Sequence, residues 1–348
     1  MKLYRRLDRS RYQFDFCINT REECFYSQEI RELGGRIFYV PPKSQGVSAF
    51  KKELAALIRR EGYKRVLRIT SNAAGFMDLK VARKAGAVVC AARSSNASDG
   101  GGWKVGLIHR ISRCLYGRYV NVKIAPSDLA ARYTFGERAY QKGEVFLLRN
   151  AIDMKVYRYS EEDRQAVRQE LGLQEGQPVI GHVGRFAPQK NHAFLLDMFA
   201  EAKKLRPEAR LLLVGDGELR ESIVAQARQL GIEDSLLMTG IRSDIPRVLS
   251  AMDVMVFPSL YEGMPNTVIE AQATGLSCLV ADTITREADV TGRVQYRPLT
   301  DPAAWAAQAL AMAGEPGRPD TTAALTEHGY NIDAAVSQFE QLIFEDRT

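Results

Sequence analysis

The sequence predicts an α/β protein of two doubly wound domains with parallel sheets, and three observations predict it. Apolar runs of strand length alternate with amphipathic segments of helical length along most of the 348 residues. These runs are too apolar for a sheet with one wet face, so helices must cover both sides. A chain of 348 residues also exceeds what one core ordinarily serves, about 250 to 300 residues, and suits two.

Taken in order, the chain opens on MKLYRRLD, which reads as the second half of a helix leading into the strand YQFDFCI. The unit therefore reads as lacking a strand ahead of that helix, as from a truncated or misassigned start. Strands follow at RVLRIT, AVVCAA, VNVKIAPS and EVFLLRN, separated by amphipathic segments such as SAFKKELAALIRREG and GFMDLKVARKAG. The second of these closes on a glycine, as helices do. The grammar stops at Asn150 and resumes at Pro178, with a charged helix between, which puts the domain seam in RNAIDMKVYRYSEED. PVIGHVG, ARLLLVG, SLLMTG, DVMVFPS and SCLVAD are the strands of the second half, each followed by a helical pattern. Finally, NIDAAVSQFEQLIFED carries Ile332, Val336, Phe339 and Ile343 at helical spacing and reads as a helix packing across a domain. The expected division is 1–155, 156–330 and a terminal helix in 331–348.

Composition narrows the class. No apolar stretch approaches the ~20 residues that span a bilayer, and the basic N-terminus lacks the apolar core of a signal peptide, so a cytoplasmic location is expected. Cys17, Cys24, Cys90, Cys114 and Cys278 are odd in number and show no C-x-x-C spacing, and are read as reduced core thiols. The net charge of +6 conceals a split: residues 1–150 carry 29 Lys and Arg against 13 Asp and Glu, and the remainder 19 against 29. A basic half can face an anionic lipid surface at the inner face of the plasma membrane, a phosphorylated acceptor or nucleic acid; equally, the two halves can attract each other. No aromatic-interleaved strand motif supports nucleic acid, which is excluded as a partner. GWKVGLIHRISRCLYGRYV mixes apolar and basic residues and reads either as a membrane-resting helix or as a helix buried on one side with a solvated basic face.

In open parallel sheets, ligands bind beyond the carboxyl ends of the strands. Three such loops stand out: RFAPQKN, with Arg185 and Lys190; DGE after ARLLLVG; and YEGMPNTVIEAQATG, with Glu262 and Glu270 separated by seven residues. Gly263 lets the chain turn sharply, and Pro265 suits a first helical turn. The amides of Met264, Asn266 and Thr267 then face outward at the positive end of a helix, an anion site. Glu270 can accept from a diol such as a ribose, Glu262 can reach a neighbouring polyol, and Arg185 and Lys190 supply cations for a diphosphate. A nucleotide diphosphate sugar has that shape. Each residue also has a plainer reading, as a solvated loop side chain or a helix-surface carboxylate.

These segments, from VIGHVGRFAPQKNHAFLL through LLLVGDGELR to MTGIRSDIPRVLSAMDVMVFPSLYEGMPNTVIEAQATG, resemble the family-4 retaining glycosyltransferases of the GT-B fold, the glycosyl transferases group 1, of the bacterial polysaccharide type. The resemblance implies that Glu270 holds the ribose, that Gly184, Arg185 and Lys190 hold the diphosphate, and that Glu262 with the amides after Gly263 holds the transferred sugar. Arg185, Lys190 and Glu262 carry the catalytic roles. It implies a cleft between the domains, a glycan or lipid-linked acceptor on the basic half, and neither metal nor cofactor. Relatives often carry histidines in the segment matching CAARSSNASDGG, where this chain has Arg93, Ser95 and Asn96 as acceptor-side candidates. That difference and the short N-terminus keep a rival alive, an inactive sugar-nucleotide-binding paralogue. A nicotinamide dehydrogenase needs G-x-G-x-x-G, and GHVGRF and GDGELR lack the third glycine.

Overall fold

In the computed structural model, which describes residues 1–95 and 102–345, the apolar runs become strands paired in parallel throughout. The first unit comprises Met1–Ala151 and Asn331–Thr348, and the second Ile152–Tyr330. The seam expected at 155/156 thus lies a little inside the second unit. Ile152 N–H donates to the Tyr330 carbonyl at 2.7 Å, so the chain's entry to the second unit is tied to its exit.

The first unit contains β1 (Phe16–Ile18) paired with β2 (Ile37–Tyr39), and a separate sheet of β3 (Arg65–Thr70), β4 (Val89–Ser94), β5 (Val122–Ala125) and β6 (Val145–Leu147) in that order. One face of the longer sheet is covered by helices Val47–Glu61 and Phe76–Ala85 through Phe50, Leu54, Leu57, Phe76 and Leu79. On the other, Ile124 and Leu148 meet Ile332, Val336, Phe339 and Leu342 of the terminal helix Ile332–Ile343. The 3.6-residue apolar stripe of that helix therefore serves the first unit, although the helix follows the second in sequence.

The second unit holds β7 (Val179–Val183), β8 (Arg210–Val214), β9 (Leu236–Gly240), β10 (Val254–Phe257), β11 (Cys278–Ala281) and β12 (Val294–Arg297), ordered β12-β11-β10-β7-β8-β9. β7 and β10 are buried at every position, as central strands must be when helices cover both faces.

Two expectations change. All five cysteines are free, but only Cys90 and Cys278 belong to a core. Cys17 lies on a short strand at a sheet edge, Cys24 in a loop and Cys114 on the outer face of helix Gly102–Tyr116, and all three are exposed. That helix is buried on one side as expected, through His109 and Ser112 with Tyr116 packed against the core, but its exposed face is apolar as well as basic, carrying Trp103, Leu107, Ile108, Ile111 and Leu115.

Candidate active site

The order of the second sheet creates the site. β7 lies against β10, with Ile180 opposite Val254, yet the chain leaves β7 toward β8 and β9 and leaves β10 toward β11 and β12 on the other side. Where neighbouring strands send their connections in opposite directions a crevice opens at their carboxyl ends. The loops that border it are 184–191 and 258–265.

The first loop is laced to the turn after β8. Gly184 N–H donates to Val214 O at 3.0 Å, Phe186 N–H to Asp216 O at 2.9 Å, and Leu219 N–H to Phe186 O at 3.1 Å. Backbones come this close only because Gly215 and Gly217 put no side chain in the way. A Cβ on Gly215, at φ +140°, would stand 2.0 Å from the Gly184 carbonyl oxygen, and one on Gly217 2.5 Å from that of Phe186. Pro188–Lys190 then makes a 3₁₀ turn ahead of helix His192–Leu205.

The two expected cations part ways. Arg185 stays exposed and donates to Glu218 Oε2 at 3.0 Å. Lys190 turns inward, its Nζ 2.7 Å from Glu262 Oε1 and 4.5 Å from the centre of the Phe257 ring. An exposed ion pair contributes about 0 to 1 kcal/mol, so Arg185 is cheaply released to a ligand, whereas the largely buried Lys190–Glu262 pair is held more firmly.

The second loop is stitched to the first, Leu260 N–H donating to Gln189 O at 2.9 Å and Gln189 Nε2 to Tyr261 O at 2.8 Å. Pro265 stands at the N-cap of helix Asn266–Ala273 rather than within its first turn, and its carbonyl accepts from Val268 and Ile269. The amides of Met264 and Thr267 donate to no acceptor among the described residues, which leaves them for a ligand. Glu270, a turn further in, is hydrogen-bonded by the Tyr157 phenol, whose pKa burial and this carboxylate push well up.

Beneath Lys190 lie two neutral imidazoles, His182 and His192, with ring centres 5.0 Å apart. His182 Nδ1 donates to Val256 O at 2.9 Å, and among the described residues neither His182 Nε2 nor either nitrogen of His192 has a hydrogen-bond partner. Burial pulls them down to about 3 and about 4, with the nearby Lys190 adding to the effect. Beside Arg185 a hollow of about 600 Å³ is bounded by Gly215, Asp216, Gly217 and Ile241, the last 81 % exposed.

The structure thus gathers Gly184, Lys190, Glu262, Gly263, Met264, Asn266 and Thr267 at one crevice, with Arg185 at its margin and Glu270 a turn inside. In the first unit Arg93 is built into the end of the sheet, donating to Leu148 O at 3.3 Å and Asn150 Oδ1 at 2.8 Å. Ser95 N–H donates to Thr70 O, and Asn96 lies outside the described residues. Nothing in the sequence marks Tyr157, which lies in the seam segment, or Gln189, and Glu218 stands there only as part of a turn. Among the described residues no three His, Cys, Asp or Glu side chains are grouped to hold a metal ion.

Comparison with known proteins bears on the family and the fold. The family profile described as "Glycosyl transferases group 1" matches residues 163–313, which include both loops. EpsF of Bacillus subtilis (strain 168), which carries a glycosyltransferase's name, is 36 % identical over 324 residues, 92 % of this chain and 84 % of that one. The UDP-Gal:alpha-D-GlcNAc-diphosphoundecaprenol alpha-1,3-galactosyltransferase of Escherichia coli is 29 % identical over 262 residues, 71 % and 66 % of the two chains. Among solved structures, Anabaena Alr3699/HepE in complex with UDP and glucose superposes with a TM-score of 0.70 at 16 % identity, over 94 % of this chain and 98 % of that one. WaaG, a glycosyltransferase involved in lipopolysaccharide biosynthesis, superposes with a TM-score of 0.69 at 15 % identity, over 99 % and 95 %. With the two doubly wound units these likenesses make the fold GT-B, and the extent of the match to EpsF settles the family: the chain belongs to the group 1 glycosyl transferases.

Proposed function

We propose that the protein transfers a sugar, with retention of anomeric configuration and without a metal, from a UDP-linked donor to a glycan or lipid-linked acceptor in cell-surface polysaccharide synthesis. The observation that carries this is the switch-point crevice, where Lys190, Glu262 and the unengaged amides of Met264 and Thr267 converge. The UDP held by HepE, the UDP-linked donor and diphosphoundecaprenol acceptor in the name of the E. coli relative, and the lipopolysaccharide role of WaaG support the choice of donor and acceptor.

In this reading the donor diphosphate exchanges into the ion pairs. Lys190 leaves Glu262 for a phosphate oxygen, and Arg185 leaves Glu218. Glu262 is thereby freed to accept from the sugar hydroxyls, while Glu270 accepts from the ribose diol, with Tyr157 fixing its orientation. The anomeric C–O bond to the β-phosphate breaks with its electron pair going to the diphosphate. The acceptor oxygen bonds to the same face of that carbon, and its proton passes to a phosphate oxygen. The protein's contribution is position and charge, offered to a leaving group whose negative charge grows.

The test incubates the chain with UDP-glucose, UDP-galactose and UDP-N-acetylglucosamine and an envelope-lipid extract, with and without EDTA. Acceptor-dependent UDP release that EDTA spares, with an α-linked product by NMR, supports the proposal. A β-linked product, or loss of activity with EDTA, overturns the stereochemical or the metal-free part. Donor binding without turnover on any acceptor favours the inactive paralogue.

A further inference from the structure

We infer that helix Gly102–Tyr116 docks the protein on an anionic lipid surface, lying flat with its apolar side in the membrane interface. A helix on a globular domain ordinarily buries its apolar stripe. This one leaves most of its apolar residues outside, only Val105 and Tyr116 being half-buried. Its inner side is fixed by a polar side chain: His109 Nδ1 accepts from Ala73 N–H at 3.0 Å, Nε2 donates to Tyr133 O at 2.9 Å, and the ring stacks on Tyr133. Ser112 is the other buried residue, and Arg113 donates to the same Tyr133 carbonyl.

At about 100° per residue, Trp103, Leu107, Ile108, Ile111 and Leu115 share the opposite arc. They are 75, 48, 54, 49 and 55 % exposed. Single exposed apolar residues are ordinary on a protein surface, but five on one face of one helix mark an interaction site.

Charge selects the partner. Between residues 79 and 127 the sequence carries nine Lys and Arg against one acidic residue. Lys104 lies within the apolar arc with its Nζ near the Trp103 ring, and Arg110 is exposed at the arc's edge. At the far end Arg118, Lys80 and Lys84 gather around Tyr119, pulling its phenol below the ordinary value, the Arg118 hydrogen bond first. A second copy presenting the same face would set these cations against their like, while an anionic surface would neutralise them. Tryptophan and basic residues flanking a short apolar stripe suit the headgroup layer. Among the described residues no helix is long and apolar enough to cross a membrane, so this one would lie on it.

A lipid-linked acceptor would be met at this surface, but the apolar arc and the cations around it favour an anionic membrane whether or not sugar is transferred. The test is sedimentation of the full chain with vesicles of phosphatidylglycerol and phosphatidylcholine, and with phosphatidylcholine alone, over a range of salt. Binding to the anionic vesicles that salt releases is expected. Lys80→Ser with Arg118→Ser should weaken it about thirtyfold, at ~1 kcal/mol per basic residue near the surface. Trp103→Ser with Leu107→Ser should weaken it at least as much, while leaving the melting temperature and transfer to a soluble acceptor unchanged. No sedimentation with either vesicle overturns the inference, as does equal binding to both. A concentration-dependent dimer that Trp103→Ser with Leu107→Ser abolishes also overturns it, in favour of a second copy. Vesicle binding by a chain that transfers no sugar would sink the proposed function and leave this inference standing.

Discussion

At the scale of single residues, Lys190 and Glu262 hold one another, and on the proposed function a donor would exchange into that pair. That both stand on loops following central strands was legible in the sequence, because each loop comes directly after an apolar run. Their mutual ion pair was not, because strand order, not spacing, brings residues 72 apart in sequence together. Tyr157 was hidden for the same reason: a tyrosine in a connecting segment has no periodicity to betray it. Arg185, exposed and weakly paired, should act through the transition state more than through stability. Arg185→Ala is expected to lower kcat by about 10² to 10³ with the melting temperature unchanged, which steady-state kinetics on the identified donor would check. The imidazoles beneath Lys190 make a different prediction. Neutral when folded, His182 and His192 would take up protons in the unfolded chain near pH ~6.5. Their contribution is therefore complete above about pH 6.5 and is lost as pH falls toward about 4 for His192 and about 3 for His182. Each should cost about 2 kcal/mol between pH 7 and pH 5. Urea titrations at the two pH values should show His192→Phe removing about half of that loss; an unchanged loss would mean the pair does not titrate this way.

At the scale of elements, apolar strands were readable and polar edges were not. Every apolar run quoted from the second half became a strand, but β12, at the edge of its sheet, reads VQYR and is half-exposed, so it makes no apolar run. The direction in which helix Gly102–Tyr116 faces was equally illegible, since an amphipathic pattern says that one side is apolar, not that this side is buried. GDG read as a tight turn, and the structure adds its reason: the turn after β8 must let another backbone touch it. Gly215→Ala is expected to cost about 3 kcal/mol, because it combines a strained φ with a Cβ 2.0 Å from a carbonyl oxygen. Gly231→Ala, at φ +68° with nothing within 4 Å of its Cβ, should cost only about 1 kcal/mol. Equal losses in urea denaturation would show that the contact between the two loops is not what fixes this turn.

At the scale of the whole molecule, the division into two units was legible from the alternation of strand and helix and from the break between Asn150 and Pro178. Which unit owns the last helix was not, because its apolar stripe fits any sheet face left uncovered. Phe339 is buried in the core it shares with Ile124 and Leu148, so Phe339→Ala should cost the first unit about 3 to 5 kcal/mol. UDP binding, which the account assigns to the second unit, should stay as before; a parallel loss of UDP affinity would show that the helix matters to both units. The account as a whole rests on the crevice between β7 and β10 being the donor site, and calorimetric titration with UDP tests it most directly. The wild-type chain should bind UDP, and Lys190→Ala, with one charge-assisted contact removed, should bind it at least tenfold more weakly. UDP bound with equal affinity by both chains would contradict it.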